Sequence, residues 1–360
     1  MKAAICYEFN KPLVIEEVEI APPGKGEVKV RVATTAICHS DIHDIKGELP
    51  GPLPFVGGHE VAGYIDEMGA DIQSVQSGDP VVVSLLASCG TCYYCITGFP
   101  HLCEAKFAPN PQVRLRNQKG EVLDQKAGVG GFAEYVVVKE SQVVKIPEEM
   151  PIDRASLLAC GVTTGFGGVV NRARVRPLSS VVVIGTGGVG INAIQGAAFS
   201  GAYPVIAVDI LDSRLKAARD FGATHTVNAG QDGAVDAVRK IASGRGADYV
   251  FVTVGSVDAI QQGFAMSGTR GVTVIIGLPP MKDMLSISPL EFVVSERTIT
   301  GGFMGAVNLK IDIPLLVTLY QEGRLKLDEL VTGRFPLEKI NEAIESTEKG
   351  EGIRNVIMFD

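Results

Sequence analysis

The apolar positions of this chain change rhythm twice. From the N-terminus to about residue 161, β-branched runs recur with Gly and Pro between them: EVKVRVATTAI (27–37), VAGYIDEMG (61–69), DPVVVSLL (79–86) and FAEYVVVK (132–139). Runs of that length, punctuated by turn residues, predict the short strands of an irregular β barrel or sandwich. From about residue 178 the pattern becomes strand, helix, strand, helix. SSVVVIG (179–185) is an apolar run of buried-strand length, GVGINAIQGAAFSGA (188–202) fits a tightly packed helix, PVIAVD (204–209) is a strand, and DSRLKAARDFGA (212–223) is a helix with Asp212 as its cap. DYVFVTVG (248–255), DAIQQGFAMS (258–267) and RGVTVIIG (270–277) continue the alternation. Such alternation predicts a doubly wound parallel sheet covered on both faces, an α/β fold. After about residue 303 the texture is mixed again, ending in IRNVIMFD. Residues 1–161 and 303–360 are therefore expected to form one β-rich domain, with residues 162–302 inserted as the α/β domain.

Composition narrows the function. The 360 residues are 46% hydrophobic and 21% charged, with a net charge of −8. That profile is globular, and its sign argues against a nucleic-acid partner, which wants a basic face. Pro177 to Val208 carries no charge, but its glycines, Asn192 and Gln195 read as strand, turn and buried helix rather than a membrane span. The first twenty residues hold no long apolar core before a cleavage site, so no export signal is expected, and the expected compartment is the reducing cytoplasm. Clustered cysteines then lean toward metal or catalysis rather than disulfides.

VVVIGTGGVG places Gly185, Gly187 and Gly190 directly after a strand and at the start of a helix. Gly185 makes the tight turn, Gly187 lets the backbone approach a pyrophosphate, and Gly190 lets helix pack on sheet. Gly188, Val189 and Gly190 open the helix, whose unpaired N–H groups face the phosphate charge. Asp209 ends the next strand, nineteen residues beyond Gly190. An acid there accepts hydrogen bonds from the adenosine ribose and repels a 2′-phosphate, so the expected dinucleotide is NAD rather than NADP.

Cys89, Cys92, Cys95 and Cys103 follow the spacing C-x2-C-x2-C-x7-C. Loops this short can wrap four thiolates round one ion, and zinc with four sulfurs is closed and structural. The iron–sulfur run puts its fourth cysteine three residues on, followed by Pro; seven residues intervene in this chain, and Glu104 follows. Zinc is favoured over an iron–sulfur cluster or disulfides.

Cys38, Ser40, His43, His59 and Cys160 are individually unremarkable, since a lone Cys is usually a small hydrophobe and a lone His a satisfied core or surface residue. Spacing does not join them. The stretches ICHSDIHDIKG, FVGGHEVAG and LLACGVTTGFG, with the four-cysteine segment and the glycine turn, resemble the zinc-dependent medium-chain alcohol dehydrogenases over nearly the whole chain. That resemblance implies a GroES-like catalytic domain with a Rossmann domain inserted. It implies a catalytic zinc on Cys38, His59 and Cys160 with a fourth position open to substrate, the Cys2His arrangement known for this family. Glu60 would lie behind the metal, and Asp41 would hold the second nitrogen of His59. The metal would lower the pKa of an alcohol, whose hydride passes to nicotinamide. Ser40, the cofactor ribose and His43 would carry the proton out. His39 and Arg354 would touch the pyrophosphate, Arg214 the adenosine ribose, and Thr164 the nicotinamide.

The resemblance also implies a homodimer or homotetramer, paired edge to edge near RTITGGF (297–303), and a small-molecule alcohol, aldehyde or ketone as substrate. Leu49, Leu85, Leu102 and Leu278, with Phe132 nearby, match an apolar pocket. The segment 104–131, with Lys106, Arg114, Arg116 and Lys119, reads as a solvated loop; its sharper reading is a lid gripping an anionic handle. Three alternatives follow: an S-(hydroxymethyl)thiol dehydrogenase, a hydroxyacyl-CoA-type dehydrogenase, and a non-catalytic nucleotide binder. Cys6 reads as a core thiol, and His101 and His225 as surface residues.

Overall fold

The computed structural model describes residues 1–49, 51–106 and 113–359. The chain divides into two units, residues 1–160 with 308–360, and residues 161–307.

The first unit holds two β structures. Lys2–Cys6, Val14–Ile20, Leu115–Asn117, Val122–Gln125 and Phe55–Val56 close into a small barrel. Its interior is apolar, with Ile5, Phe55, Leu115, Leu123 and Phe132 buried together. The segment expected to be a solvated loop thus supplies a hairpin of the barrel wall. Leu115 and Leu123 face each other across it and point inward, while Arg116 and Val122 are exposed; the polar majority concealed the two-residue period. Residues 107–112 of that segment lie outside the described residues.

The second sheet runs Val143–Lys145, Pro80–Val83, Glu60–Met68, Glu27–Ala36, Arg354–Met358, Val331–Pro336, with Tyr135–Lys139 also pairing to Glu27–Ala36. Valines dominate its buried face, among them Val28, Val30, Val32, Val61, Val81 and Val136. Each fully buried Val contributes about 1.5–3 kcal/mol relative to exposure. The register positions the chemistry. Ala36 stands opposite Glu60 in one antiparallel pair, and Val356 stands opposite Ala36 in the next. Cys38, His59 and Arg354 therefore leave three adjacent strands at the same end.

The second unit is the doubly wound α/β sheet that the alternation predicts. Its six strands are Val181–Ile184, Val205–Asp209, His225–Asn228, Ala247–Val252, Ser267–Ile275 and Thr298–Gly301. All pairings are parallel, and numbered along the chain the spatial order is 3-2-1-4-5-6. The order reverses between the first and fourth strands, where such sheets bind ligands beyond their carboxyl ends. Val181, Val182 and Val183 are fully buried, which is why this strand reads as a continuous apolar run rather than an alternation. The uncharged stretch from Pro177 to Val208 resolves into strand, helix Gly188–Phe199 and strand. No helix among the described residues is long and apolar enough to cross a membrane.

Candidate functional site

Cys38 ends its strand's extension and caps the helix His39–Ile45. The third helical residue, Asp41, is buried and acts as a hub. Its Oδ2 accepts the Cys38 N–H at 2.9 Å; its Oδ1 accepts the Gly58 N–H at 3.2 Å and the His59 Nδ1–H at 2.9 Å. One carboxylate thus ties the Cys38 corner to the segment GGHE. Because a carboxylate only accepts, Nδ1 of His59 carries a hydrogen, so in the neutral ring the lone pair is on Nε2. That Nε2 lies 3.4 Å from Ser40 Oγ, which in turn lies 3.1 Å from Cys38 Sγ. Gly58 has φ +85, and a Cβ there would lie 2.7 Å from the Phe132 ring, so glycine lets this segment rest on the barrel core. Cys160 arrives after the helix Ile152–Leu157, with the Ala159 carbonyl accepting from Ser84 Oγ at 2.7 Å.

The result is a cluster in which ligand atoms of Cys38, His59, Glu60 and Cys160 all lie within 4.8 Å of one another. Cys160 shares a hydrogen bond with Cys38, which pulls the Cys38 thiol well below its usual value and pushes Cys160 well above. Burial pulls His59 down, but the Asp41 carboxylate and Cys38 outweigh it, leaving it well above its ordinary value. Burial raises Glu60 to about 7 against the opposing pull of Arg354. The buried Arg354 donates from Nη2 to Glu60 Oε2 at 2.6 Å, whereas Glu60 Oε1 is buried without a hydrogen-bond partner. Two thiols and one imidazole lone pair, converging in a buried site, suit zinc. Ligands at tetrahedral zinc distances stand about 3.5–3.8 Å apart, inside the spread observed.

The second cluster is local. Cys89, Cys92, Cys95 and Cys103 also bring their sulfurs within 4.8 Å of one another. Backbone N–H groups of Cys89 and Ala105 donate to Cys103 Sγ at 3.3 and 3.4 Å, and that of Cys92 to Cys89 Sγ at 3.3 Å. None of the seven cysteines is in a disulfide. A hydrogen bond from Thr91 lowers Cys89 to about 6, whereas burial raises Cys95 to about 12. His101 is buried in this lobe rather than on the surface, and it is not one of the clustered ligands; the Phe99 ring stands edge-on to it at 6.2 Å.

In the second unit, Gly185 has φ +84, and a Cβ there would lie 2.3 Å from Val254. A Cβ on Gly190 would lie 1.8 Å from the Gly185 carbonyl oxygen, but one on Gly187 would meet nothing within 4 Å. Open space over Gly187, beside a helix that no side chain caps, is what an approaching phosphate requires. Gly188, Val189 and Gly190 are the first three residues of that helix. Asp209 is anchored: Oδ2 accepts from the Thr186 N–H at 2.7 Å and its hydroxyl at 3.0 Å, and Oδ1 from the Leu211 N–H at 3.0 Å. Thr186 lay unmarked within the glycine motif; its partner is visible only once two parallel strands lie side by side. Arg214 lies on the helix Asp212–Asp220, and Thr164 is buried with its hydroxyl on Met304 sulfur at 3.5 Å.

The remaining candidates scatter. His39 opens its helix and is exposed. Phe132 is fully buried in the barrel core rather than lining a pocket. Leu49, Leu85 and Leu102 are half-buried and Leu278 exposed. Arg114 is buried and paired with Glu27, and Arg116 donates to the Gly120 carbonyl at 2.7 Å, which commits two of the cations that the alternative lid reading would use. His225 begins a strand, and Cys6 is a core thiol that burial pushes up to about 11. The Glu60–Arg354 pair had no sequence signal, its members being 294 positions apart.

Comparison with known proteins adds names to this geometry. Residues 24–148 match the alcohol dehydrogenase GroES-like domain, and residues 188–322 match the zinc-binding dehydrogenase domain. The chain is 38% identical over 366 residues to the NDMA-dependent alcohol dehydrogenase of Amycolatopsis methanolica, spanning 99% of this chain and 98% of that one. Its fold superposes on an alcohol dehydrogenase zinc-binding domain protein from Burkholderia ambifaria with TM-score 0.95 and 34% identity, covering 100% and 98% of the two chains. It also superposes on the benzyl alcohol dehydrogenase of Acinetobacter calcoaceticus with TM-score 0.93 and 32% identity, covering 100% and 99%.

Proposed function

Because the chain belongs to the zinc-dependent medium-chain alcohol dehydrogenases, we propose a specific form of that chemistry: reversible hydride transfer between an alcohol bearing an apolar group and NAD, in a cytoplasmic homo-oligomer with two zinc ions per subunit. The observation that carries it is the convergence of Cys38, His59 and Cys160 beside the Glu60–Arg354 pair. These three residues would hold the catalytic zinc, and the four-cysteine lobe a structural one. Zinc in such a site supplies Lewis acidity, making a bound hydroxyl acidic near neutral pH. NAD supplies the hydride acceptor.

The chain's own residues do the rest. Asp41 fixes the His59 tautomer, so Nε2 faces the sulfurs. Arg354 holds Glu60 by one oxygen, which restrains a carboxylate that would otherwise compete for the open position. Ser40 stands against Cys38 and His59 and accepts the substrate proton; His43, one turn further along the same helix, passes it to water. Gly185, Gly187, Gly188, Val189 and Gly190 seat the pyrophosphate. Asp209 and Arg214 hold the adenosine ribose, and Thr164 packs at the nicotinamide. Similarity to a benzyl alcohol dehydrogenase supports an apolar substrate group. Subunits would pair along the edge strand Thr298–Gly301, beside the exposed Leu290, Val293 and Val294.

The test is a screen of absorbance at about 340 nm, where the reduced nicotinamide absorbs, with NAD or NADP and a panel of alcohols, with and without thiols and CoA esters, alongside metal analysis. Two zinc per chain and NAD-dependent turnover of an apolar alcohol are expected. A protein with one zinc and no turnover on any substrate sinks the proposal. Asp209→Gly should relax the preference for NAD; an unchanged preference removes Asp209 from that role.

A further inference from the structure

We infer that Glu48 is a positioning residue for the proton outlet: its carboxylate fixes the tautomer and direction of the His43 imidazole, so that Nε2 of that ring is the nitrogen left to take a proton. The inference rests on the assignment of His43 to the outer end of the relay. Its independent ground is the way the helix His39–Ile45 ends. The Lys46 N–H donates to the Ile42 carbonyl at 2.9 Å, Gly47 to Asp44 at 3.0 Å, and Glu48 to His43 at 2.9 Å. Gly47 is left-handed, with φ +71, and the Phe9 ring lies 2.8 Å from where its Cβ would be. This is the six-to-one and five-to-two closure on a left-handed glycine, and it brings the residue after the glycine against the last turn of the helix.

That contact is frequently apolar in such helix ends. In this chain it is Glu48 against His43, with the carboxylate bonded to Nδ1. A carboxylate only accepts, so Nδ1 carries the hydrogen and Nε2 holds the lone pair. An acid that holds a histidine in one tautomer and orientation is the logic of the third member of a hydrolase triad. Other charges nearby are paired elsewhere: Asp44 with Lys126 at 3.1 Å, and Lys46 with Glu348 of the helix Ile340–Lys349 at 2.5 Å. The His43 and Glu48 side chains are 30% and 39% exposed, so the ring sits where a proton can leave for water. Ser40 lies three residues earlier on the same helix, the spacing that places two side chains on one face.

Glu48→Leu is the informative variant, because leucine supplies the apolar contact common at such ends and preserves the helix terminus. In the zinc-loaded enzyme, the His43 ring 15N signals, assigned by their loss in His43→Gln, should report hydrogen on Nδ1. Glu48→Leu should move it toward Nε2 and lower kcat roughly tenfold, with KM for the alcohol within about twofold. Glu48→Gln keeps an accepting oxygen and should fall between. In the His43→Gln background, Glu48→Leu should add nothing. An unchanged tautomer and kcat in Glu48→Leu, or a full additive loss on top of His43→Gln, overturns the inference while leaving the relay standing. If His43→Gln itself turns over normally, the relay fails, and Glu48 has no outlet to position.

Discussion

The two sulfur-rich clusters use the same donor chemistry and opposite chain logic. The four-cysteine lobe is drawn from residues 89–103, lies partly exposed, and closes through short loops whose own N–H groups bond its sulfurs. The Cys38–His59–Cys160 centre is drawn from residues 38 to 160, is largely buried, and exists because adjacent strands end together beside the end of the helix Ile152–Leu157. Short loops cost little entropy to close, so a local cluster assembles almost by itself. A remote cluster must be built on a folded sheet. It then inherits what that sheet provides: a hub carboxylate in Asp41, a pinned acid in Glu60, and a hydroxyl in Ser40. The local cluster has cysteines on all sides and suits stapling; the remote one has two thiols and an imidazole, with its fourth group, Glu60, held by Arg354, and suits chemistry.

The sharpest way to break this contrast is Cys160→Ser. Turnover should drop by about a thousandfold or more, since a metal site's Lewis acidity is worth several kcal/mol, and zinc should fall from two to one per chain, with cofactor binding retained. Loss of both metals would show that the clusters are not independent. Ser40→Ala comes next, with kcat down about a hundredfold at unchanged zinc content, in line with general acid–base contributions. Unchanged kcat removes Ser40 from the proton path. Asp41→Asn should cost roughly ten- to a hundredfold in activity or metal affinity, as loss of a ligand's orienting partner does; a zinc titration by competing chelator reads it.

Cys95→Ser should behave differently from all of these. It should release the other zinc and lower thermal stability, with activity of the folded fraction changed by only a few-fold, because structural sites contribute folding energy rather than chemistry. A collapse of kcat equal to that of Cys160→Ser would erase the contrast. The smallest effect concerns the metal-free thiols. Cys89, lowered to about 6, is mostly thiolate at pH 7, and Cys6, raised to about 11, is thiol. After chelation, alkylation should reach Cys89 before Cys6, and the rate at Cys89 should fall as pH drops below about 6. Equal rates at the two sites would contradict the Thr91 hydrogen bond as the cause.

Much of the architecture is legible in the chain. The parallel sheet was readable because Val181 to Ile184 is buried on both faces and nothing polar interrupts it. The hairpin Leu115–Asn117 with Val122–Gln125 was not, because Leu115 and Leu123 are its apolar residues facing the core and the mostly polar remainder mimics a loop. Phe132 looked like a pocket wall and is barrel core; His101 looked exposed and is buried. A single aromatic ring carries no period from which its surroundings can be inferred.

The sequence alone determined what depends on neighbours along the chain: the glycine turn, the cysteine spacing of the lobe, and the alternation of strands and helices. These are set by backbone freedom and short loops, both properties of contiguous residues. Only the tertiary structure decided that Asp41 binds Cys38 and His59 together, that Arg354 holds Glu60 from 294 positions away, and that Thr186 secures Asp209. Strand register sets those meetings, and register is fixed by burying one face of a whole sheet rather than by any residue that takes part.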